Sequence, residues 1–165
     1  MPLCTLRGHY GDVNGVAVIG DSNRAVSASS DGTLIVWDLG TGLPLRMLGG
    51  HSDSVSGVAV TSNARRAVSA CSDRTLKVWD LDTGLVLRTL EGHSNHVMGV
   101  AITPDGKRAS SVAEDNTLKL WDLQTGLCVA TFHCDASPYC CAFAAPNLIV
   151  AGDEGGRVYF LALEE

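Results

Sequence analysis

The sequence has no apolar run approaching the roughly 18 residues of a membrane-spanning helix. Its opening Met-Pro-Leu-Cys also lacks the basic and apolar regions of an export signal, so the expected location is the cytoplasm. Positive charge is scarce too: 12 Lys and Arg stand against 18 Asp and Glu, a net −6, and only Arg65-Arg66 and Lys107-Arg108 adjoin one another. That balance repels a phosphate backbone and argues against nucleic acid as a partner, as the lack of a span argues against membrane. The six cysteines (Cys4, Cys71, Cys128, Cys134, Cys140 and Cys141) include no C-x-x-C pair. Adjacent Cys140 and Cys141 in a strand would point to opposite faces, so reduced thiols are expected. His133, Cys134, Cys140 and Cys141 lack the short fixed gaps of a zinc site. Neither phosphate-binding glycine motif, G-x-x-x-x-G-K-[ST] or G-x-G-x-x-G, is present, and there is no G-x-S-x-G elbow. No cofactor or metal is expected.

What is present is a repeat. His9, His51 and His93, each after a glycine, recur every 42 residues, as do Trp37, Trp79 and Trp121, each before an aspartate. Between them AVSASSDGTLIVWDLGTG, AVSACSDRTLKVWDLDTG and ASSVAEDNTLKLWDLQTG nearly coincide. Each unit holds four short runs rich in Val, Ile, Leu and Thr, in the first unit residues 13–19, 24–29, 33–39 and 43–48. Gly, Asp, Ser and Asn separate them, which predicts a four-stranded antiparallel meander with a tight hairpin at Ser30-Asp31-Gly32 and a turn at Thr103-Pro104-Asp105-Gly106. The small, apolar GVAV (15–18 and 57–60) and GVAI (99–102) suit an inner strand crowded on both sides. One meander cannot bury both of its faces, so the units must stack, and radial stacking gives an all-β propeller.

The Gly-His and Trp-Asp pairs, with the S-D-G-T turn between them, resemble the WD40 family strongly over residues 8–131. The resemblance implies a WD40-type β-propeller of four blades per chain: a single domain, 1–165, with a closing strand (1–7), repeats at 8–49, 50–91 and 92–133, and a degenerate repeat at 134–165. It also implies a hydrogen-bonded set in each blade: His9, Ser27, Asp31 and Trp37; His51, Ser69, Asp73 and Trp79; His93, Ser111, Asp115 and Trp121. The donor and acceptor types fit such a chain. Ser, His and Asp also make a hydrolase triad, but one site suffices for catalysis, whereas here the set occurs three times with a tryptophan claiming each serine. A structural role is expected, and no enzyme.

After Thr131 the pattern degenerates. Pro146 follows Pro104 by 42 residues, which predicts that a first strand at 139–144 keeps its register and that the four polar positions become Asp135, Ala151, Gly155 and Leu161. The expectation is a blade packed through apolar contacts alone. Its ending, AGDEGGRVYFLAL, resembles the last blade of bacterial propellers at the C-termini of large signalling proteins. Leu3 to His9 matches the fourth-strand text Leu87 to His93, so the N-terminal strand is expected to complete the last blade. Four blades are few for this family, and the expected partner is therefore a second copy, two chains forming an eight-bladed ring. The alternatives are a purely structural self-assembling module and a fragment of a larger propeller.

Function is sought where the repeats disagree. The loop before the first strand and the second-to-third turn bring Tyr10, Asp12, Asn14, Ser30, Ser54, Ser56, Ser72, His96, Met98 and Glu114 to one end, the end this family most often offers to proteins and peptides. The expected function is a non-catalytic interaction scaffold in bacterial signalling.

Overall fold

The computed structural model describes residues 4–20 and 23–163. Every element is a strand: β1 (Val13–Ile19), β2 (Arg24–Ser29), β3 (Thr33–Asp38), β4 (Pro44–Gly49), β5 (Val55–Val60), β6 (Arg66–Cys71), β7 (Leu76–Asp80), β8 (Val86–Leu90), β9 (Val97–Ile102), β10 (Arg108–Ala113), β11 (Thr117–Asp122), β12 (Cys128–His133), β13 (Pro138–Ala145), β14 (Leu148–Asp153) and β15 (Val158–Ala162). No helix is long and apolar enough to cross a membrane among the described residues. The strands form four sheets, β1-β2-β3-β4, β5-β6-β7-β8, β9-β10-β11-β12 and β13-β14-β15, each pairing consecutive strands antiparallel. This is the meander expected from the four runs per repeat.

The hairpin between the second and third strands needs one residue in the left-handed region, and the three repeats meet the need differently. Gly32 (φ 81°), Arg74 (φ 71°) and Asn116 (φ 61°) hold the same place. Only glycine occupies it without steric cost.

The core lies between blades, not within them. Ile19, Val26, Ala28, Leu34, Val36 and Leu48 of the first sheet pack on Val55, Ala67, Trp79 and Leu81 of the second, and the second packs on the third likewise. Two inner strands approach the next blade closely: a Cβ on Gly15 would stand 3.2 Å from the Gly57 Cα, and one on Gly99 3.1 Å from the Tyr139 carbonyl oxygen. Contact along the stack runs β1 to β5, β5 to β9 and β9 to β13.

The stack is open at both ends. Val13 is 53 % and Leu39 41 % exposed, whereas their repeats Val55 and Leu81 are fully buried. At the other end Val158 is 60 % and Phe160 70 % exposed, whereas Leu34 and Val36, at the corresponding places of the first blade, are buried. Of the closing strand expected at 1–7, residues 1–3 lie outside the described residues. Residues 4–7 form no strand on β15 within the single chain.

The fourth sheet departs from the sequence expectation in two ways. Cys140 stands opposite Gly152 as Gly99 stands opposite Val112, so β13 slips by one residue from the 42-residue register, and an irregularity between Phe143 and Ala145 restores it before Pro146. In the loop that leads into β13, Cys134 is buried and Asp135 is exposed. Nor is this blade held by apolar contacts alone: Tyr159 Oη donates to Asp153 (2.8 Å) and accepts from the Asp135 backbone N–H (3.1 Å), and Arg157 N–H donates to Asp153 (2.8 Å). An aromatic hydroxyl has replaced the histidine-centred network.

Candidate functional site

Each of the first three blades contains one continuous polar chain. The indole N–H of Trp37, Trp79 and Trp121 donates to Ser27, Ser69 and Ser111, at 2.8 Å in each case. The serine oxygen lies 2.6–2.7 Å from Nε2 of His9, His51 and His93. Nδ1 of those histidines lies 2.8–2.9 Å from Asp31, Asp73 and Asp115. An indole is donor only, so the serine must pass its own proton to Nε2, and a neutral histidine then gives its Nδ1 proton to the carboxylate. Burial pushes the His51 and His93 pKa below the ordinary histidine range, against the pull of the aspartates.

A fifth member extends each chain. Thr33, Thr75 and Thr117 donate both hydroxyl (2.6–2.7 Å) and backbone N–H (2.9–3.0 Å) to the aspartate two residues earlier. The backbone N–H of Tyr10, Ser52 and Ser94 completes the shell. Burial alone would raise these carboxyls; the threonine, histidine and backbone donors outweigh it and hold all three below the usual range. The signal was legible as the invariant D-x-T in SDGT, SDRT and EDNT, which sequence reasoning used only as a turn. Ser69 and Ser111 are fully buried, and one lone pair of each serine oxygen is already engaged by an indole, so neither presents the exposed oxygen that a hydrolase nucleophile needs.

One grouping of metal-type donors occurs among the described residues: His51, Cys71 and Asp73, whose ligand atoms lie within 4.8 Å of one another. Both His51 nitrogens are committed to Ser69 and Asp73. The Cys71 thiol, pushed up to about 12 by burial, accepts from Asp73 N and donates to the Asp53 carbonyl. Ser29 accepts the same bond from Asp31 N in the first blade, so Cys71 acts as a hydroxyl substitute and remains protonated. Cys140 and Cys141 face opposite ways: Cys141 contacts Ser110 of the third blade, while Cys140 is exposed.

The remaining candidates gather at one end of the stack, where backbone bonds join the loop before each inner strand to the following hairpin: Ser30 N to Asp12 O, Ser72 N to Ser54 O, Glu114 N to His96 O and Glu154 N to Ser137 O. They divide into two groups. Asn14 and Ser56 are occupied between blades, Asn14 donating to Val55 O (3.0 Å), Ser30 and Ser54, and Ser56 donating to Val97 O. Ser30 and Ser54 also bond to each other (3.2 Å), and Met98 and Ser72 are half-buried. Tyr10, at 96 % exposure, and Asp12 are exposed, while His96 faces Glu114 at 3.4 Å. A polar cleft of about 410 Å³ between the second and third blades is lined by Ser52, Asp53, Ser72, Arg74, Asn95 and His96.

Comparison with known proteins accords with this geometry. Residues 1–38 and 42–80 match the family described as WD domain, G-beta repeat, and residues 93–163 match the TEP-1 C-terminal beta-propeller. No curated protein matches the chain. Among solved structures, the computationally designed Ika4 protein superposes with a TM-score of 0.88 at 31 % identity, over 99 % of each chain.

Proposed function

Because this chain belongs to the WD40-repeat β-propeller family, whose propellers mediate protein–protein interactions, we propose that it is a non-catalytic scaffold that binds a protein or peptide across the loop end of its blades. The observation that carries the reading is the build of that end. A backbone bond ties each blade's entry loop to its own hairpin, and Asn14, Ser54 and Ser56 bridge neighbouring blades through side-chain bonds, so the loops form a fixed surface from which Tyr10, Asp12 and the His96–Glu114 pair project. A rigid surface with an exposed aromatic loses little entropy on binding.

The scaffold is proposed to work as an eight-bladed ring of two copies in the cytoplasm. The resemblance of the last blade supports a place in bacterial signalling. A self-assembling module without another partner is the second reading, and the exposed apolar end faces favour it.

Peptides selected on the immobilised protein from an unbiased display library test the scaffold. They are expected to lose about tenfold or more in affinity on Tyr10→Ala or His96→Ala, the range of an interface hot spot. Selected peptides that are indifferent to both changes overturn the assignment of this end.

A further inference from the structure

We infer that the crevice between the second and third blades, at the end of the stack away from the Tyr10 and His96 loops, is a separate binding site for a carboxylate carried beside an apolar side chain on a partner segment. It stands independently of the loop-end reading.

Comparison of the repeats with one another carries the inference. The first residue of the second strand is Arg24, Arg66 and Arg108 in successive blades, and the fourth strand holds Arg46, Arg88 and Ala130 at one place. Between the first and second blades this pair of arginines has its acceptors. Asp82, in the turn after β7, sets its carboxylate 3.8 Å from the Arg24 guanidinium, and Arg46 donates to the carbonyl oxygens of Asp82 (2.8 Å) and Thr83 (3.1 Å). One repeat later Gln124 stands where Asp82 stood, and the acid is gone. Among the described residues neither Arg66 nor Arg88 forms an ion pair, and Arg88 does not repeat the two carbonyl bonds of Arg46. Asp80, opposite Arg66 on the paired strand, feels its charge. Its Oδ1 accepts from Asp82 N, Thr83 N and the Thr83 hydroxyl (2.7–3.0 Å), which fixes it in its own turn.

The two guanidiniums border a hollow of about 290 Å³ lined by Arg66, Val78, Leu87, Arg88, Leu123 and Gln124. Val78 and Leu123 are buried and Leu87 is 44 % exposed, so an apolar floor meets a rim of guanidinium and amide donors. A guanidinium presents paired N–H groups that match a carboxylate. An exposed ion pair alone contributes little, whereas an apolar side chain laid on Leu87 adds burial and keeps water from the pair. The ligand is therefore amphiphilic, either Asp or Glu beside an apolar residue or an apolar C-terminal residue. The first crevice shows the fit, since the chain's own carboxylate occupies the equivalent place there. Between the third and fourth sheets the equivalent hollow keeps Arg108 but has Ala130 in place of the second arginine.

Amide chemical shifts of the isotope-labelled chain, titrated with N-acetyl-leucine, test the site. Saturable shifts are expected at Arg66, Arg88 and Gln124, in the millimolar range of so small a ligand. N-acetyl-leucine amide, which lacks the carboxylate, should bind at least about tenfold more weakly. Acetyl-Leu-Asp-amide carries the carboxylate on a side chain, and whichever of the two acids binds more tightly identifies its source. Arg66→Gln with Arg88→Gln should weaken binding about tenfold or more, and so should Gln124→Asp, which returns an internal acid. Asp82→Gln should open the first crevice, with new shifts at Arg24 and Arg46. Arg66, Arg88, Gln124 and Asp82 are all exposed, so these variants should keep the unfolding midpoint of the parent chain. The inference is overturned if N-acetyl-leucine gives no saturable shift at these amides, if its amide binds equally, or if the arginine and Gln124→Asp variants bind as the parent does. Inorganic phosphate acting on the same amides at lower concentration overturns the carboxylate assignment. Peptides selected at the loop end still report on Tyr10 and His96 in every case, so the two readings fail separately.

Discussion

Ser69 is the residue on which the second blade's polar chain turns, since it accepts the Trp79 indole proton and delivers its own to His51. Ser69→Ala would leave two buried nitrogens unpaired, at about 1–3 kcal/mol each, so a loss of about 2–4 kcal/mol is expected in urea unfolding. Cys71→Ser should shift stability by less than about 0.5 kcal/mol, because the hydroxyl reproduces what Ser29 does in the first blade. Titration follows from the same chain. His51 and His93 have pKa values below their ordinary 6.5, so as pH falls through 6.5 the unfolded chain takes up protons that the folded chain refuses, and stability declines. The depressed carboxyls of Asp31, Asp73 and Asp115 act with the same sign below about 3.8, where the unfolded aspartates begin to protonate first. Chemical denaturation should therefore give a lower midpoint at pH 5.5 than at pH 7.5 and a steeper fall in strong acid; a midpoint that rises on acidification contradicts the neutral-histidine chain.

At the scale of the strand and hairpin, the repeats provide their own controls. Arg74 takes a left-handed backbone where Gly32 stands in the first blade, and a non-glycine residue there costs about 1 kcal/mol. Arg74→Gly should accordingly stabilise the chain by about 0.5–1 kcal/mol in the midpoint of denaturation, offset in part by the freer unfolded chain. Asp153→Asn in the fourth blade should weaken its Tyr159 and Arg157 contacts and selectively speed amide exchange in β14 and β15. Fifteen short strands were legible because local alternation and turn residues specify them within a few positions. The slip in β13 was not, because a strand can absorb one extra residue as a bulge without altering its composition.

At the scale of the molecule, stability and assembly become one quantity. If two copies share their outer strands, binding adds to folding by mass action, and the melting temperature should rise with protein concentration. A melting temperature independent of concentration over a hundredfold range contradicts assembly from two chains. The sequence by itself determined the repeat and the strands, because these depend on spacings and turn residues within each 42-residue unit, while the partners within each Trp-Ser-His-Asp chain were implied by the resemblance to the WD40 family. Tertiary structure decided what lies between blades. It assigned Asn14 and Ser56 to neighbouring blades, gave the last blade a tyrosine-centred network, and laid Cys4 to Gly8 along the first blade with an apolar face uncovered at either end of the stack. Those contacts join residues from separate repeats, and a period that repeats identically along the chain carries no information about which face is left without a neighbour.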